Sequence, residues 1–96
     1  MNRQTAIDLL SMHKPHLQHQ FGVRSLALFG STARGTAGEG SDVDVLVSFS
    51  GPASSKQYFG AQFYLEDLFK CPVDLVTDKA LRKELRPYVE RDAVHV

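Results

Sequence analysis

Two aspartates stand two residues apart where an apolar stretch begins, in the run Ser41-Asp42-Val43-Asp44. Side chains at this spacing on a β-strand leave the strand on the same face, so both carboxylates would point the same way. Two hard oxygen ligands on one face suit a divalent cation such as Mg²⁺. The alternative interpretation is a solvated strand edge, with Asp42 serving as a turn residue after Ser41.

A third aspartate interrupts another apolar stretch, Val73-Asp74-Leu75-Val76-Thr77. Aspartate is disfavoured within strands and costly when buried there. If the two stretches lie close in one sheet, Asp74 can share the face of the aspartate pair. Three carboxylates could then hold two divalent ions, one for a triphosphate and one for an attacking hydroxyl. Asp74 could also accept the proton of that hydroxyl; taken alone, it could equally be a strand-end residue paired with a lysine or arginine.

The segment that precedes the aspartate pair, residues 30–41, is rich in small residues. Glycine has no Cβ, so its backbone can approach a phosphate closely. Gly30 and Ser31 directly follow the apolar stretch Ser25–Phe29, where backbone amides can converge on an anion, and Ser31 can add a hydroxyl donor. Arg34 could pair with phosphate oxygens through two parallel hydrogen bonds, or be an ordinary surface arginine. The loop and the carboxylates together indicate a nucleotide with Mg²⁺.

Hydrophobic spacing and breakers predict the elements that must position these residues. In the second strand, alternate positions from Val43 to Phe49 should face the core, with the aspartates on the opposite face. The expected fold is a small α/β (α+β) domain, a short mixed sheet packed with helices. Thr5 and Asp8 suggest a capping pair. The predicted helices are one over 5–21, kinked or split at Pro15, and one over 54–69. A last helix should be capped by Asp78 and run through Leu81, Leu85 and Val89. The predicted strands cover 25–29, 42–49 and 73–77, with a short edge strand over 94–96.

The predicted helix over 54–69 and its end carry four aromatic residues, which we expect to lie mostly in the core: Phe59, Phe63, Tyr64 and Phe69. Three histidines at three-residue spacing, His13, His16 and His19, fit a polar helix face better than a zinc site.

Composition restricts the class of protein. The 96 residues are 43% hydrophobic and 23% charged, as in an ordinary globular chain, so we expect one domain over residues 1–96. The formal net charge of zero predicts no direct nucleic-acid partner. No stretch is apolar enough to span a membrane, and the amino terminus lacks the apolar segment of a signal peptide. A single cysteine, Cys71, adds to the expectation of a cytoplasmic protein.

The combined pattern resembles a known family. Gly30-Ser31, then Ala33-Arg34-Gly35, then Ser41-Asp42-Val43-Asp44, with Asp74 on a later strand, is similar to the nucleotidyltransferase superfamily of DNA polymerase beta type. The resemblance is closest to its minimal, single-domain MNT members, the antitoxin halves of prokaryotic toxin–antitoxin pairs whose toxin is a HEPN-domain ribonuclease. It extends over nearly the whole chain, to the ending Leu85-Arg86-Pro87-Tyr88-Val89-Glu90-Arg91-Asp92-Ala93.

The resemblance implies an enzyme that transfers AMP from ATP, with two Mg²⁺ ions, to a tyrosine hydroxyl of the cognate toxin, in a hetero-oligomer with that toxin. It places the nucleotide at Gly30, Ser31, Arg34 and Ser41, and it assigns Asp42, Asp44 and Asp74 as metal-binding and catalytic residues. Two alternatives stay open: an antitoxin that neutralises its partner by binding alone, and a subunit of a nucleotidyltransferase acting on small molecules.

Overall fold

The computed structural model of the chain describes residues 1–38 and 41–96. No helix in these two ranges is long and apolar enough to cross a membrane. In chain order, the elements are α1 (Arg3–Phe21), β1 (Val23–Phe29), α2 (Gly30–Arg34), β2 (Val43–Phe49), α3 (Ser55–Phe69), β3 (Val73–Thr77), a 3₁₀ helix (Asp78–Ala80), α4 (Arg86–Asp92) and β4 (Val94–His95).

The four strands form one mixed sheet in the order β3-β2-β1-β4. β1 pairs antiparallel with β2 and with β4, and β2 pairs parallel with β3. The connection from β2 to its parallel neighbour runs through α3, as a parallel pair requires a long crossover. The predicted fold class, a short mixed sheet packed with helices, is confirmed, and so is the edge strand near the carboxyl terminus.

The alternation predicted for β2 is confirmed. Val43 and Val45 are fully buried, and Val47 and Phe49 are buried with them. Asp44, on the other face, is half-buried. The buried face packs into one hydrophobic cluster with side chains of α1 and α3. The sheet therefore presents its acidic side chains on the face opposite this core.

α1 differs from expectation in two respects. Its cap is Asn2, whose side chain accepts a hydrogen bond from the Thr5 amide at 2.8 Å, so the predicted capping pair of Thr5 and Asp8 is wrong. The helix also runs without a break through Pro15, which removes a single backbone donor. Leu10 and Leu17 are fully buried on either side of the proline, and their packing explains why the helix is not split.

α3 begins with a capping box, in which Ser54 and Gln57 exchange side-chain to backbone hydrogen bonds. Phe69, its last residue, is buried as expected. The core prediction is wrong for Phe59 and Phe63, whose exposed fractions are 49% and 63%. The side chains of these two residues are thus largely accessible on the surface of α3.

The segment after β3 is not the single helix that the sequence suggested. Thr77, not Asp78, is the capping residue, and its hydroxyl accepts from the Ala80 amide at 3.2 Å. The 3₁₀ turn stops at Ala80, and α4 begins only at Arg86. Pro87 explains the interruption, because proline fits the first turn of a helix but would remove a hydrogen bond from the interior of a longer one.

Candidate active site

β2 and β3 bring two of the predicted carboxylates side by side. Asp44 and Asp74 are direct partners in the parallel register, between the partner pairs Val43–Val73 and Val45–Leu75. Those flanking pairs are buried on the core side, so both carboxylates leave the opposite face of the sheet. Asp44 is half-buried and Asp74 is exposed. The sequence predicted that Asp44 and Asp74 would share a face if their strands were close in one sheet. The structure confirms that they do.

Asp42 lies just outside the strand. The sequence placed the start of this strand at Asp42, but β2 begins at Val43, and the Asp42 side chain is exposed. Its negative charge still acts on Asp44. The three aspartates thus form one group of negative charge, in which Asp44 and Asp74 are register partners and Asp42 acts from outside the strand.

The charges of this group change the pKa of Asp44. Burial is the main cause that raises the pKa of the Asp44 carboxyl above its ordinary value, and the charges of Asp74 and then Asp42 raise this pKa further. The Arg34 guanidinium opposes them and lowers the pKa. The negative charges repel one another more than this single cation offsets, so an added cation would find a favourable field here.

The donor set of this group fits a divalent cation. Carboxylate oxygens are the ligands that Mg²⁺ prefers, and a bound cation would offset both the burial and the neighbouring negative charges that raise the pKa of Asp44. Within residues 1–38 and 41–96, no three or more His, Cys, Asp or Glu side chains are already arranged to hold a metal ion. The assignment of Mg²⁺ to Asp42, Asp44 and Asp74 therefore stays a prediction.

Gly30 joins the small-residue loop to the carboxylates. Its φ of +73° lies in the left-handed region, which residues other than glycine rarely adopt. A Cβ built at this position would lie 2.1 Å from Oδ2 of Asp44. A side chain at position 30 would displace that carboxylate, so the start of the loop lies directly beside Asp44.

The rest of the loop is held by its own backbone. The Ser31 carbonyl accepts from the Thr36 amide at 2.9 Å, and the Ser41 amide donates to the Gly38 carbonyl at 3.2 Å. Glu39 and Gly40 lie outside the described residues. Ser31 and Ser41 are both half-buried at the ends of this segment, and their contacts with phosphate remain predictions.

Arg34 has a partner that the sequence did not reveal. Its Nη1 donates to Oδ2 of Asp92, the last residue of α4, at 2.8 Å. The Asp92 side chain is only 15% exposed, whereas that of Arg34 is 48% exposed. The two residues are 58 positions apart, and no local pattern could have indicated the pair.

α2 is also tied to the start of the chain. Arg3, in the first turn of α1, donates from Nε to the Ala33 carbonyl at 3.0 Å. Thr32 is buried beside it, and its hydroxyl has no hydrogen-bond partner in the part of the chain that the structure describes. No short sequence pattern indicates this contact, because it depends on how α1 lies across α2.

Comparison with known proteins gives a consistent result. The family model of the nucleotidyltransferase domain matches residues 10–95. A relative from Thermococcus cleftensis, named protein adenylyltransferase MntA, is 41% identical over 89 residues, which cover 93% of this chain and 90% of the relative.

Solved structures share the fold. One, described as a minimal nucleotidyltransferase, superposes with a TM-score of 0.76 at 33% identity, covering 98% of this chain and 95% of the other. A second, an MNT antitoxin in complex with a tri-AMPylated HEPN toxin from Shewanella oneidensis, gives a TM-score of 0.60 at 20% identity, covering 98% of this chain and 67% of the other. At that identity, the second likeness concerns the fold alone.

Proposed function

The chain belongs to the nucleotidyltransferase domain family, and from this premise we propose that it is a protein adenylyltransferase that acts as an antitoxin. Its substrate is ATP, and its acceptor is a tyrosine hydroxyl of a cognate HEPN-domain toxin. The adenylyltransferase named in T. cleftensis and the AMPylated toxin bound to an MNT antitoxin in S. oneidensis support this choice of reaction and partner.

The observation that carries the proposal is the position of Asp44. It is the register partner of Asp74, and its Oδ2 lies where a side chain at Gly30 would have to be. Phosphates bound at the small-residue loop would therefore lie beside the acidic face, where a bound cation could stabilise the charge that develops during nucleotidyl transfer.

The reaction is a displacement at the α-phosphorus of ATP. The tyrosine oxygen forms a bond to that phosphorus, and the bond between the α-phosphorus and the bridging oxygen to the β-phosphorus breaks. Pyrophosphate leaves with the bonding electron pair, and the tyrosine proton passes to a base. Asp74 is suited to accept that proton, because its carboxylate is exposed on the acidic face, where an acceptor hydroxyl can arrive.

The other residues bind and orient. Gly30 and Ser31 hold the phosphates with backbone and hydroxyl donors, Ser41 closes the loop, and Arg34 balances phosphate charge. Mg²⁺, held by Asp42, Asp44 and Asp74, supplies charge neutralisation and Lewis acidity when it is bound. Because Asp74 is exposed, we expect the acceptor hydroxyl to be supplied by another protein chain.

The test is to incubate the protein and its cognate partner with ATP labelled on either the α- or the γ-phosphate. We expect label on the partner from α-labelled ATP only, with release of pyrophosphate. Transfer of the γ-label would indicate a kinase and contradict the proposal. A stable complex with neither label on the partner would indicate neutralisation by binding alone, and labelling of a small alcohol but not of protein would favour the small-molecule alternative.

A matched variant controls for non-specific charge effects. Asp67 lies on α3, on the core side of the sheet, and its side chain is 88% exposed. Asp67→Asn removes the same charge as Asp44→Asn, but from a helix that carries none of the predicted site residues. The proposal requires that Asp67→Asn labels the partner normally and that Asp44→Asn does not.

A further inference from the structure

We propose that Asp92 is a positioning residue, which holds the Arg34 guanidinium beside the acidic face so that it meets the phosphates of the nucleotide already oriented. The inference rests on the proposed function, because it takes a nucleotide as the ligand. It assigns a role to α4 and to the end of the chain, which the reaction described above does not otherwise use.

The contact leaves most of the guanidinium available. Among the described residues, Arg34 donates to Asp92 through Nη1 alone, at 2.8 Å. A guanidinium has five N–H donors in a fixed fork, so Nε and Nη2 can still donate to phosphate oxygens. The contact therefore fixes the orientation of the guanidinium and leaves donors available for a ligand.

Both residues are anchored to β1. Arg34 ends α2, which begins directly after that strand, and Asp92 ends α4, one residue before β4 begins. Val94 of β4 pairs with Leu28 of β1, so the chain is fixed to the sheet two residues beyond Asp92. The positions of the two partners are thus set by the same central strand.

The held guanidinium is already coupled to the site. Arg34 ends α2, the short helix that begins at Gly30, and a Cβ at Gly30 would collide with the carboxylate of Asp44. A long side chain that must be ordered when a ligand binds weakens the affinity, whereas one ordered during folding does not. Asp92, at 15% exposure, is the more buried partner and is suited to do this ordering.

A different role for Asp92 predicts the opposite effect of its removal on ATP binding. If the carboxylate competed with phosphate for Arg34, removing it would strengthen nucleotide binding. Within the described ranges, Arg34 makes a single hydrogen bond to Asp92 and keeps Nε and Nη2 for a ligand, which favours positioning over competition.

The experiment measures the dissociation constant of ATP with Mg²⁺ by direct titration, for the wild type, Asp92→Asn and Asp92→Glu. Steady-state transfer to the partner then separates KM from kcat. We expect Asp92→Asn to weaken ATP binding about two- to fivefold, as for a partly exposed ion pair, with kcat at saturating ATP nearly unchanged and partial rescue in Asp92→Glu. Asp67→Asn, which removes the same charge elsewhere, should bind ATP like the wild type.

A double-mutant cycle shows whether Asp92 acts through Arg34. In an Arg34→Ala background, Asp92→Asn should have no further effect on ATP binding. Unchanged or tighter binding in Asp92→Asn, or an equal loss in both backgrounds, would overturn the inference. Thermal unfolding of each variant identifies any that fail to fold, for which Asp92→Glu provides the comparison. A wild type that binds no ATP would instead contradict the proposed function.

Discussion

Asp44 and Asp74 are register partners across the parallel pair of strands β2 and β3, and Asp44 is the half-buried member of the pair. Burial and the neighbouring carboxylates raise its pKa. Holding like charges together in this way costs stability, so we interpret the arrangement as one maintained for chemistry.

Asp42→Asn should separate chemistry from folding. Asp42 is exposed and lies before β2, so the free energy of unfolding should change by no more than about 0.5 kcal/mol. Transfer of AMP should fall by roughly 100-fold or more, since a neutral amide replaces a charge needed at the reacting phosphates. Chemical denaturation and the transfer assay check the two parts. Near-normal transfer would remove Asp42 from the site.

The raised pKa of Asp44 predicts how stability depends on pH. The folded protein binds this proton more tightly than the unfolded chain, so protonation of Asp44 favours folding. That contribution is complete below the ordinary value of 3.8 and is lost as the pH rises through the raised pKa. Without nucleotide or metal, Asp44→Asn should match the wild type in unfolding temperature at acidic pH and exceed it at neutral pH. A difference in unfolding temperature that does not vary with pH would refute this explanation.

Gly30→Ala and Gly35→Ala form a matched pair. Both glycines have positive φ, of +73° and +76°, so alanine at either position should destabilise the fold by about 1–2 kcal/mol. Only at Gly30 would the new Cβ collide with Asp44, because no atom of residues 1–38 or 41–96 lies within 4 Å of a Cβ at Gly35. We expect Gly30→Ala to abolish transfer and Gly35→Ala to retain it. Equal activities, measured at a temperature where both are folded, would show that the close approach is not needed.

The outer edge of β3 is covered by side chains of α3. Gln62 donates to the Val73 carbonyl at 3.2 Å, and Glu66 accepts from the Val73 amide at 3.1 Å. The double variant Gln62→Ala/Glu66→Ala should lower the free energy of unfolding by roughly 1–3 kcal/mol, and the open edge should promote self-association. Denaturation and light scattering measure both effects, with the exposed position Lys56→Ala as the control. A double variant that is as stable and monomeric as this control would contradict the role of the edge.

The sequence predicts what depends on local periodicity and chain chemistry. Alternation in β2 identified the buried valines, and the motif residues Gly30, Asp44 and Asp74 do meet. What depends on tertiary packing was not predictable. The uninterrupted helix through Pro15 is stabilised by buried neighbours, and the contact of Arg34 with Asp92 joins segments that no short pattern connects.

The account is tested most directly by the intact mass of the cognate partner after incubation with ATP, Mg²⁺ and either the wild type or Asp44→Asn. With the wild type, we predict a gain in steps of one adenylyl group, AMP less water. With Asp44→Asn, which should still fold and bind the partner, we predict no gain. An equal gain with both proteins would contradict the assignment of the site, and no gain with the wild type in a stable complex would contradict the enzymatic function.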